Sequence, residues 1–232
     1  IEDYVRQFSF INLNNDTIPA VIIMSDKMIT TNLEFKKYWQ INTLNPPEFT
    51  NNTITLSSSK NGKVGKTVVQ LLEPNYEEYS TTVLSGDDAN SSFEFKYEIP
   101  GRIKQNNYPE ASAHRIMVSP INENKEDDFL SFFQVSDENV APLEVKHKKH
   151  DGFYEIAFSN YFVCLNRSLD FIKDQITFYI SNESSSSIII INGIKEGKWN
   201  IANHNGGINF DVDVLPNKNT IYFQSSGGKY YI

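Results

Sequence analysis

The chain has 232 residues, of which 39% are hydrophobic and 13% aromatic, enough to bury one or two β cores. The net charge of −8 argues against the basic face that binding to nucleic-acid phosphates requires, so we predict no nucleic-acid partner. No apolar run approaches the roughly 20 residues of a membrane helix, and we predict no membrane partner.

Runs of alternating or apolar residues, separated by Asn, Ser and Gly, predict short strands from the start of the chain. Lys60-Asn61-Gly62 predicts a hairpin turn between two of them. Ser168 to Asp174 is the best helical candidate, and it is too short to matter. Before residue 170 we predict strands at Val5 to Leu13, Ala20 to Met24, Phe35 to Asn42, Thr53 to Leu56, Val64 to Leu72, Ala113 to Val118, Phe129 to Val135, Leu143 to His147, Gly152 to Phe158 and Tyr161 to Leu165.

The spacing of the predicted strands changes after Asp174. Five short strands follow in fewer than 60 residues, and a domain boundary near residue 175 is predicted. The prediction is an all-β chain, with a large antiparallel β-sandwich over residues 1–175 and a small C-terminal β module over residues 176–232. Trp39 shares a strand face with Ile41 and is predicted to be buried in the main sandwich. The five late strands are Gln175 to Ser181, Ser187 to Gly193, Gly197 to Ala202, Gly207 to Val214 and Thr220 to Ser225.

The chain contains one cysteine, Cys164, inside an apolar run that predicts a buried strand. A single cysteine provides neither an internal disulfide nor a zinc cluster. The four histidines show no metal-ligand spacing, and no phosphate loop or dinucleotide motif occurs. We predict no metal and no cofactor.

The most basic segment of the chain follows Glu144. Lys146, His147, Lys148 and Lys149 are the candidate substrate-binding residues, as a cationic patch that contacts sulfate or carboxylate groups. A solvated turn is the interpretation that this hairpin segment favours, and a metal site is a further alternative.

Two acidic segments invite comparison with calcium sites. Glu123, Glu126, Asp127 and Asp128 lack the alternating order of a calcium loop, and we interpret them as a solvated loop. The carboxylates of Asp211 and Asp213 are predicted to face water, with calcium as the alternative.

Five blocks in order resemble the central β-region of heparinase II and III-like lyases, and a sixth resembles the small terminal β-module. The family patterns are "R-Q-F … P-A-V … D-x-V", "F-K-K-x-W-L-L-H … x-P", "T-L-L-P", "W-R-I-x-V-S-P", "D-x-F-L-H-V-L-Q" and "G-L-x-x-G-x-Y". The corresponding residues are Val5 to Leu13 with Pro19 to Asp26, Phe35 to Asn42, Val69 to Pro74, Ala113 to Pro120, Glu126 to Val135 and Gly193 to Trp199. Asn42 stands where the family pattern usually has His.

The resemblance implies a supersandwich-like fold and a division of labour. In that family an α/α toroid supplies most catalytic groups, and strands upstream of the block at Val5-Arg6-Gln7 supply a His and metal ligands. No catalytic residue of the family falls on this chain, so we predict that the isolated chain is inactive. Because the sequence begins inside a strand pattern, we expect it to be a piece of a longer polypeptide.

The resemblance therefore predicts the β-sandwich portion of a secreted or periplasmic polysaccharide lyase that acts on uronate-containing glycans. Its expected partners are an acidic polysaccharide and an upstream toroid domain of the same polypeptide. Two alternatives stay open: a stand-alone carbohydrate-binding or adhesion sandwich, and a structural or assembly module.

Overall fold

The computed structural model describes residues 1–92, 95–96, 113–181, 186–204 and 207–232. Strands hold 62% of these residues and short 3-10 helices hold 4%, which confirms the predicted all-β class. The 3-10 turns are Tyr76–Glu78 and Gly86–Asn90. The strands are β1 Asp3–Asn12, β2 Ala20–Ile29, β3 Trp39–Thr43, β4 Glu48–Thr50, β5 Thr53–Lys60, β6 Lys63–Glu73, β7 Tyr79–Ser85, β8 Ser91–Ser92, β9 Phe95–Lys96, β10 His114–Pro120, β11 Glu126–Asp137, β12 Val145–Lys149, β13 Phe153–Phe158, β14 Tyr161–Asn166, β15 Thr177–Ile180, β16 Ser187–Asn192, β17 Gly197–Asn203, β18 Asn209–Val214, β19 Thr220–Ser225 and β20 Gly228–Tyr231.

The chain divides into two compact units. The first comprises residues 1–4 and 10–142, and the second comprises residues 5–9 and 143–232. Residues 143–175 belong to the same compact unit as the C-terminal strands. The predicted division into 1–175 and 176–232 concerns sequence modules and stays a prediction.

The first unit is a two-layer sandwich. Its six-stranded sheet has the order β1-β2-β11-β6-β5-β4, and its three-stranded sheet has the order β3-β10-β7. Both sheets contribute to one core, in which Trp39 is 1% exposed and lies 6.2 Å from Phe133 between ring centroids. The predicted burial of Trp39 is confirmed.

The predicted hairpin between β5 and β6 is also confirmed. Lys60 pairs with Lys63, and the two residues between them have positive φ, 54° at Asn61 and 74° at Gly62. Glycine and asparagine tolerate this left-handed backbone, and its twist matches that of the flanking strands.

The strand predicted from Phe35 to Asn42 begins later than expected, because β3 starts at Trp39. Residues before Trp39 form turns, in which the side chain of Asn32 accepts from the Glu34 N–H at 3.1 Å. The backbone carbonyl of Asn32 accepts from the Phe35 N–H at 3.2 Å. An asparagine that satisfies the backbone locally competes with the strand ladder.

The second unit is a sandwich of a five-stranded sheet, β12-β13-β14-β16-β19, and a four-stranded sheet, β15-β20-β17-β18. An aromatic stack joins the two layers: Phe162 lies 4.9 Å from Phe178, which lies 5.2 Å from Tyr230. The Tyr230 hydroxyl donates to Ser225 Oγ at 2.8 Å, so its polar end is satisfied inside the core.

Two pairings among the described residues depart from the predicted antiparallel arrangement: the isolated bridge between Ile172 and Ile194 is parallel, and so is one pair of strands. β14 and β16 pair in parallel, from Tyr161 opposite Ile188 to Leu165 opposite Asn192. The chain leaves β14, forms β15 in the other sheet and returns as β16, and such a crossover gives two strands the same direction.

Candidate functional site

A groove of about 520 Å³ lies at one end of the second unit, within the volume range of small-molecule sites. It lies between the edge strand β12, the β13–β14 hairpin and the end of β15. The lining residues are Glu144, Lys146, Ala157, Phe158, Ser159, Asn160, Tyr161, Phe162, Tyr179, Ile180, Ser181 and Ser187.

The β13–β14 hairpin forms one side of this groove. Phe158 and Tyr161 lie directly opposite each other across a two-residue turn, and Ser159 in the turn has φ of 48°. The two rings stack with centroids 5.2 Å apart and planes 6° apart. Asn160 O accepts from Ile188 N at 2.8 Å, which fixes the hairpin against β16. The turn therefore holds the aromatic pair in one orientation.

Two tyrosines, Tyr161 and Tyr179, are among the residues that line the groove. Burial, and then the neighbouring Tyr222 hydroxyl, raise the pKa of Tyr161 above its usual value. A phenol of ordinary pKa is already protonated at neutral pH, so Tyr161 can donate there with or without this shift. Tyr179, from β15, is 52% exposed.

Among the described residues that line the groove, Glu144 and Lys146 are the charged ones. Lys146 Nζ lies 3.3 Å from Glu144 Oε1, and the two side chains are 78% and 81% exposed. Opposite charges at this distance cancel each other locally, so the groove has no net charge from these side chains.

The candidate residues Lys146, His147, Lys148 and Lys149 all lie in β12, at the edge of the five-stranded sheet. Side chains alternate along a strand, so Lys146 and Lys148 project to one face and His147 and Lys149 to the other. The structure brings Lys146 to the groove and leaves Lys148 and Lys149 exposed. Their role as a substrate-binding patch stays a prediction.

The turn after β12 contains a histidine with two side-chain contacts. His150 Nε2 lies 2.7 Å from Glu155 Oε1, and its ring stacks on Phe153 with centroids 4.5 Å apart. In the first unit, His114 Nδ1 lies 2.7 Å from Ser85 Oγ, on neighbouring strands. These two histidines each have a side-chain partner on a neighbouring strand or turn.

The interpretation of the first acidic segment as a solvated loop is wrong for Asp127 and Asp128. Residues 126–128 open strand β11, and Asp127 is half-buried. Its carboxylate lies 2.8 Å from Lys37 Nζ, whose side chain is 4% exposed. Sequence reasoning missed this pair because 90 residues separate the partners; the alternation of β11 continuing upstream of Phe129 was the available signal.

Within the described ranges, no three His, Cys, Asp or Glu side chains gather as a metal site. Asp211 accepts from Asn200 at 2.9 Å and pairs with Lys198 at 2.8 Å. The hydrogen bond from Asn200 and then the contacts with Lys198 hold the pKa of Asp211 below its usual value.

The described residues include no helix that is long and apolar enough to cross a membrane.

The second unit is thus a two-sheet β-sandwich domain with an aromatic groove at one end. Residues 147–232 match the family model described as the heparinase II C-terminal domain. The resemblance to the C-terminal β region of heparinase-like lyases is therefore confirmed over these residues; the blocks before residue 147 stay a prediction. No curated protein matches the chain.

Proposed function

We propose that this chain is the β portion of a secreted or periplasmic heparinase II-type polysaccharide lyase acting on uronate-containing glycans. The observation that carries the proposal is the match of residues 147–232 to the heparinase II C-terminal domain. A domain of this kind contributes a β-sandwich to the lyase, and we assign the catalytic chemistry to an α/α toroid domain of the same polypeptide.

The chemistry of β-elimination supports a non-catalytic role. The reaction needs a neutralised carboxylate, a base for the C5 proton and an acid for the leaving oxygen. His150 is engaged with Glu155 and Phe153. His114 is engaged with Ser85. Each of these potential bases is thus held by structural contacts.

Edge strand β12 offers the best contact for an acidic glycan. Lys148 and Lys149 are exposed on it, and lysine ammonium groups bind sulfate and carboxylate as point charges. The protein's net charge of −8 opposes a long anionic chain, so these contacts act only at short range. We expect weak binding that falls as salt rises.

A lyase assay and a binding assay on the same purified chain test the proposal. We expect no unsaturated uronate product from heparan sulfate, chondroitin or alginate at high protein concentration. We expect weak binding of a uronate-containing oligosaccharide that Lys148→Glu abolishes. Lys218→Glu, the same charge change in the connection between β18 and β19, is the matched control.

Turnover that survives repurification and disappears in His114→Ala or His147→Ala would overturn the non-catalytic role. Equal loss of binding in Lys148→Glu and Lys218→Glu would show that total charge, rather than strand β12, governs the interaction.

A further inference from the structure

Asn61 and Gly62 form the tip of the β5–β6 hairpin in the first unit. Both residues are exposed, as are Lys60 and Lys63 on either side of them. The pairing closest to the tip is that of Lys60 with Lys63. Among the described residues, neither the Asn61 side-chain amide nor the Gly62 backbone N–H has a hydrogen-bond partner. Both groups are therefore open to water and held by no polar contact.

An asparagine that is followed by glycine can react with its own backbone. The Gly62 amide nitrogen loses its proton to hydroxide and attacks Asn61 Cγ, which forms a C–N bond and expels the side-chain nitrogen as ammonia. Water then opens the cyclic imide at one of its two carbonyls and leaves aspartate or isoaspartate. The net change is the addition of water and the loss of ammonia, without any oxidant or reductant. Glycine favours the attack because it has no side chain in the way and its backbone rotates freely.

A second Asn-Gly pair, Asn192-Gly193 in the second unit, is held by the fold. Thr220 Oγ1 donates to the Asn192 side-chain oxygen at 2.9 Å, and the Asn192 side-chain nitrogen donates to Ser9 Oγ. The Gly193 N–H donates to Asn219 O at 2.9 Å. Attack by the glycine nitrogen would have to break these hydrogen bonds first. The same dipeptide is thus restrained here and unrestrained at the hairpin tip.

We infer that Asn61 is a site of spontaneous deamidation in the folded protein, with water as the co-reactant, and that Asn192 is protected. Distortion of an exposed turn needs little free energy, whereas release of Asn192 and Gly193 needs local unfolding. The product carries a carboxylate between Lys60 and Lys63. In isoaspartate the main chain also passes through Cβ, which lengthens the two-residue turn and opposes the pairing of these lysines.

Incubation of the full 232-residue chain in mildly alkaline buffer, followed by digestion after glutamate and mass spectrometry, provides the test. The digestion places the Asn-Gly pairs on separate peptides, 49–73, 184–196 and 197–232. The third pair, Asn205-Gly206, lies outside the described residues. We expect conversion at Asn61 to be about tenfold or more faster than at Asn192, because less free energy is needed to open the turn. An isoaspartate-specific methyltransferase should label peptide 49–73.

Three controls assign the reaction to this turn. Gly62→Ala places a methyl group beside the attacking nitrogen, has open space for it, and should slow conversion by about tenfold. Gly65→Ala is the matched control: it makes the same change in β6, with an ordinary contact of 3.8 Å to Ser136 O, and should leave the rate at Asn61 unchanged. Unfolding in guanidinium chloride should abolish the difference between Asn61 and Asn192, because both are then restrained only by the same dipeptide.

Equal rates at Asn61 and Asn192 in the folded chain would refute the inference. So would an Asn61 that stays intact in the folded chain and reacts only in guanidinium chloride, since the hairpin would then hold the tip too rigidly for ring closure. A Gly62→Ala chain that reacts as fast as the wild type would also overturn it, because the nitrogen of residue 62 would not be the attacking group.

Discussion

Lys37 is a charged side chain that is almost completely removed from water in the first unit. Its ammonium group contacts the Asp127 carboxylate at 2.8 Å and donates to the backbone carbonyl of Asn124. Asn124 in turn donates to Asp127 at 3.2 Å. Burial of two charges is costly unless each is compensated, and here each has more than one partner.

Replacing Lys37 by Met should therefore lower the free energy of unfolding by about 3–5 kcal/mol, because the Asp127 carboxylate is left buried without its cation. Urea unfolding measures the change. Lys146→Met is the matched control, because Lys146 pairs with Glu144 at 3.3 Å and the two side chains are 78% and 81% exposed. We expect a loss of about 1 kcal/mol or less there. Equal losses in the two variants would contradict a special role for the buried pair.

Tyr79 is a buried phenol in the first core. Burial, with a smaller contribution from neighbouring Tyr76, raises the pKa of Tyr79 from 10.0 to about 12. In the unfolded chain this phenol ionises near its usual pKa. The folded state holds the Tyr79 proton more tightly than the unfolded chain does. The contribution of the neutral phenol to the free energy of unfolding is therefore fully present below pH 10 and is lost as pH rises through about 12.

The free energy of unfolding should thus fall between about pH 9 and 11, and Tyr79→Phe should reduce that fall by about 1 kcal/mol. Paired urea titrations at the two pH values, on the wild type and the variant, measure the difference. If the wild type and the Tyr79→Phe variant lose stability equally, groups other than Tyr79 govern the fall in the free energy of unfolding at high pH.

Turns connecting neighbouring strands differ in how much they depend on glycine. Gly62 has φ of 74°, and a Cβ at this position would have open space around it. A Cβ on Gly228, at φ 142°, would instead meet the Asn203 side chain at 2.6 Å. Asn203 is 4% exposed and its amide donates to Gly227 O at 3.4 Å. Its amide therefore has little room to move.

Gly62→Ala should cost about 1 kcal/mol because alanine resists a left-handed backbone, and Gly228→Ala should cost at least about twice as much because it adds a clash. Thermal and urea unfolding of the two variants give the comparison. If the two losses are the same, Asn203 has an alternative position that the surrounding structure tolerates.

Strand existence could be predicted from the sequence where the apolar pattern is strong. β7 escapes prediction because Tyr79–Ser85 lies at the edge of its sheet, and its residues after Tyr79 are mostly exposed and polar. β20 escapes prediction because it is short and begins with glycine. The alternation of apolar and polar residues along a strand reflects burial of one face. An exposed edge strand lacks this alternation and is therefore hard to recognise in the sequence.

Strand partners and the groove could not be predicted in the same way. The segments 161–166 and 187–192 are both recognisable as strands, but nothing local says that they pair in parallel. Tyr161 and Tyr179 reach one groove from different sheets. Periodicity describes one strand at a time, whereas a site depends on which strands become neighbours.

At the scale of the whole molecule, the single cysteine serves as a reporter of the second unit. Cys164 is 0% exposed, and burial, followed by Glu155, raises the pKa of its thiol. We expect no reaction with a thiol reagent in the native protein and complete reaction once the second core opens in urea. Rapid labelling of the native chain would contradict the burial of this core.

The parallel pairing of β14 and β16 also determines which truncations of the chain leave a strand edge unpaired. β12, β13 and β14 form consecutive antiparallel pairs and can assemble locally, whereas β16 reaches β14 only after β15 has been laid down in the opposite sheet. A nascent or truncated chain that stops after Asn166 therefore presents the open hydrogen-bonding edge of β14. That edge carries Phe162, Val163 and Leu165, an apolar run suited to pairing with another molecule. Self-association, rather than a smaller folded domain, is the expected fate of such a fragment.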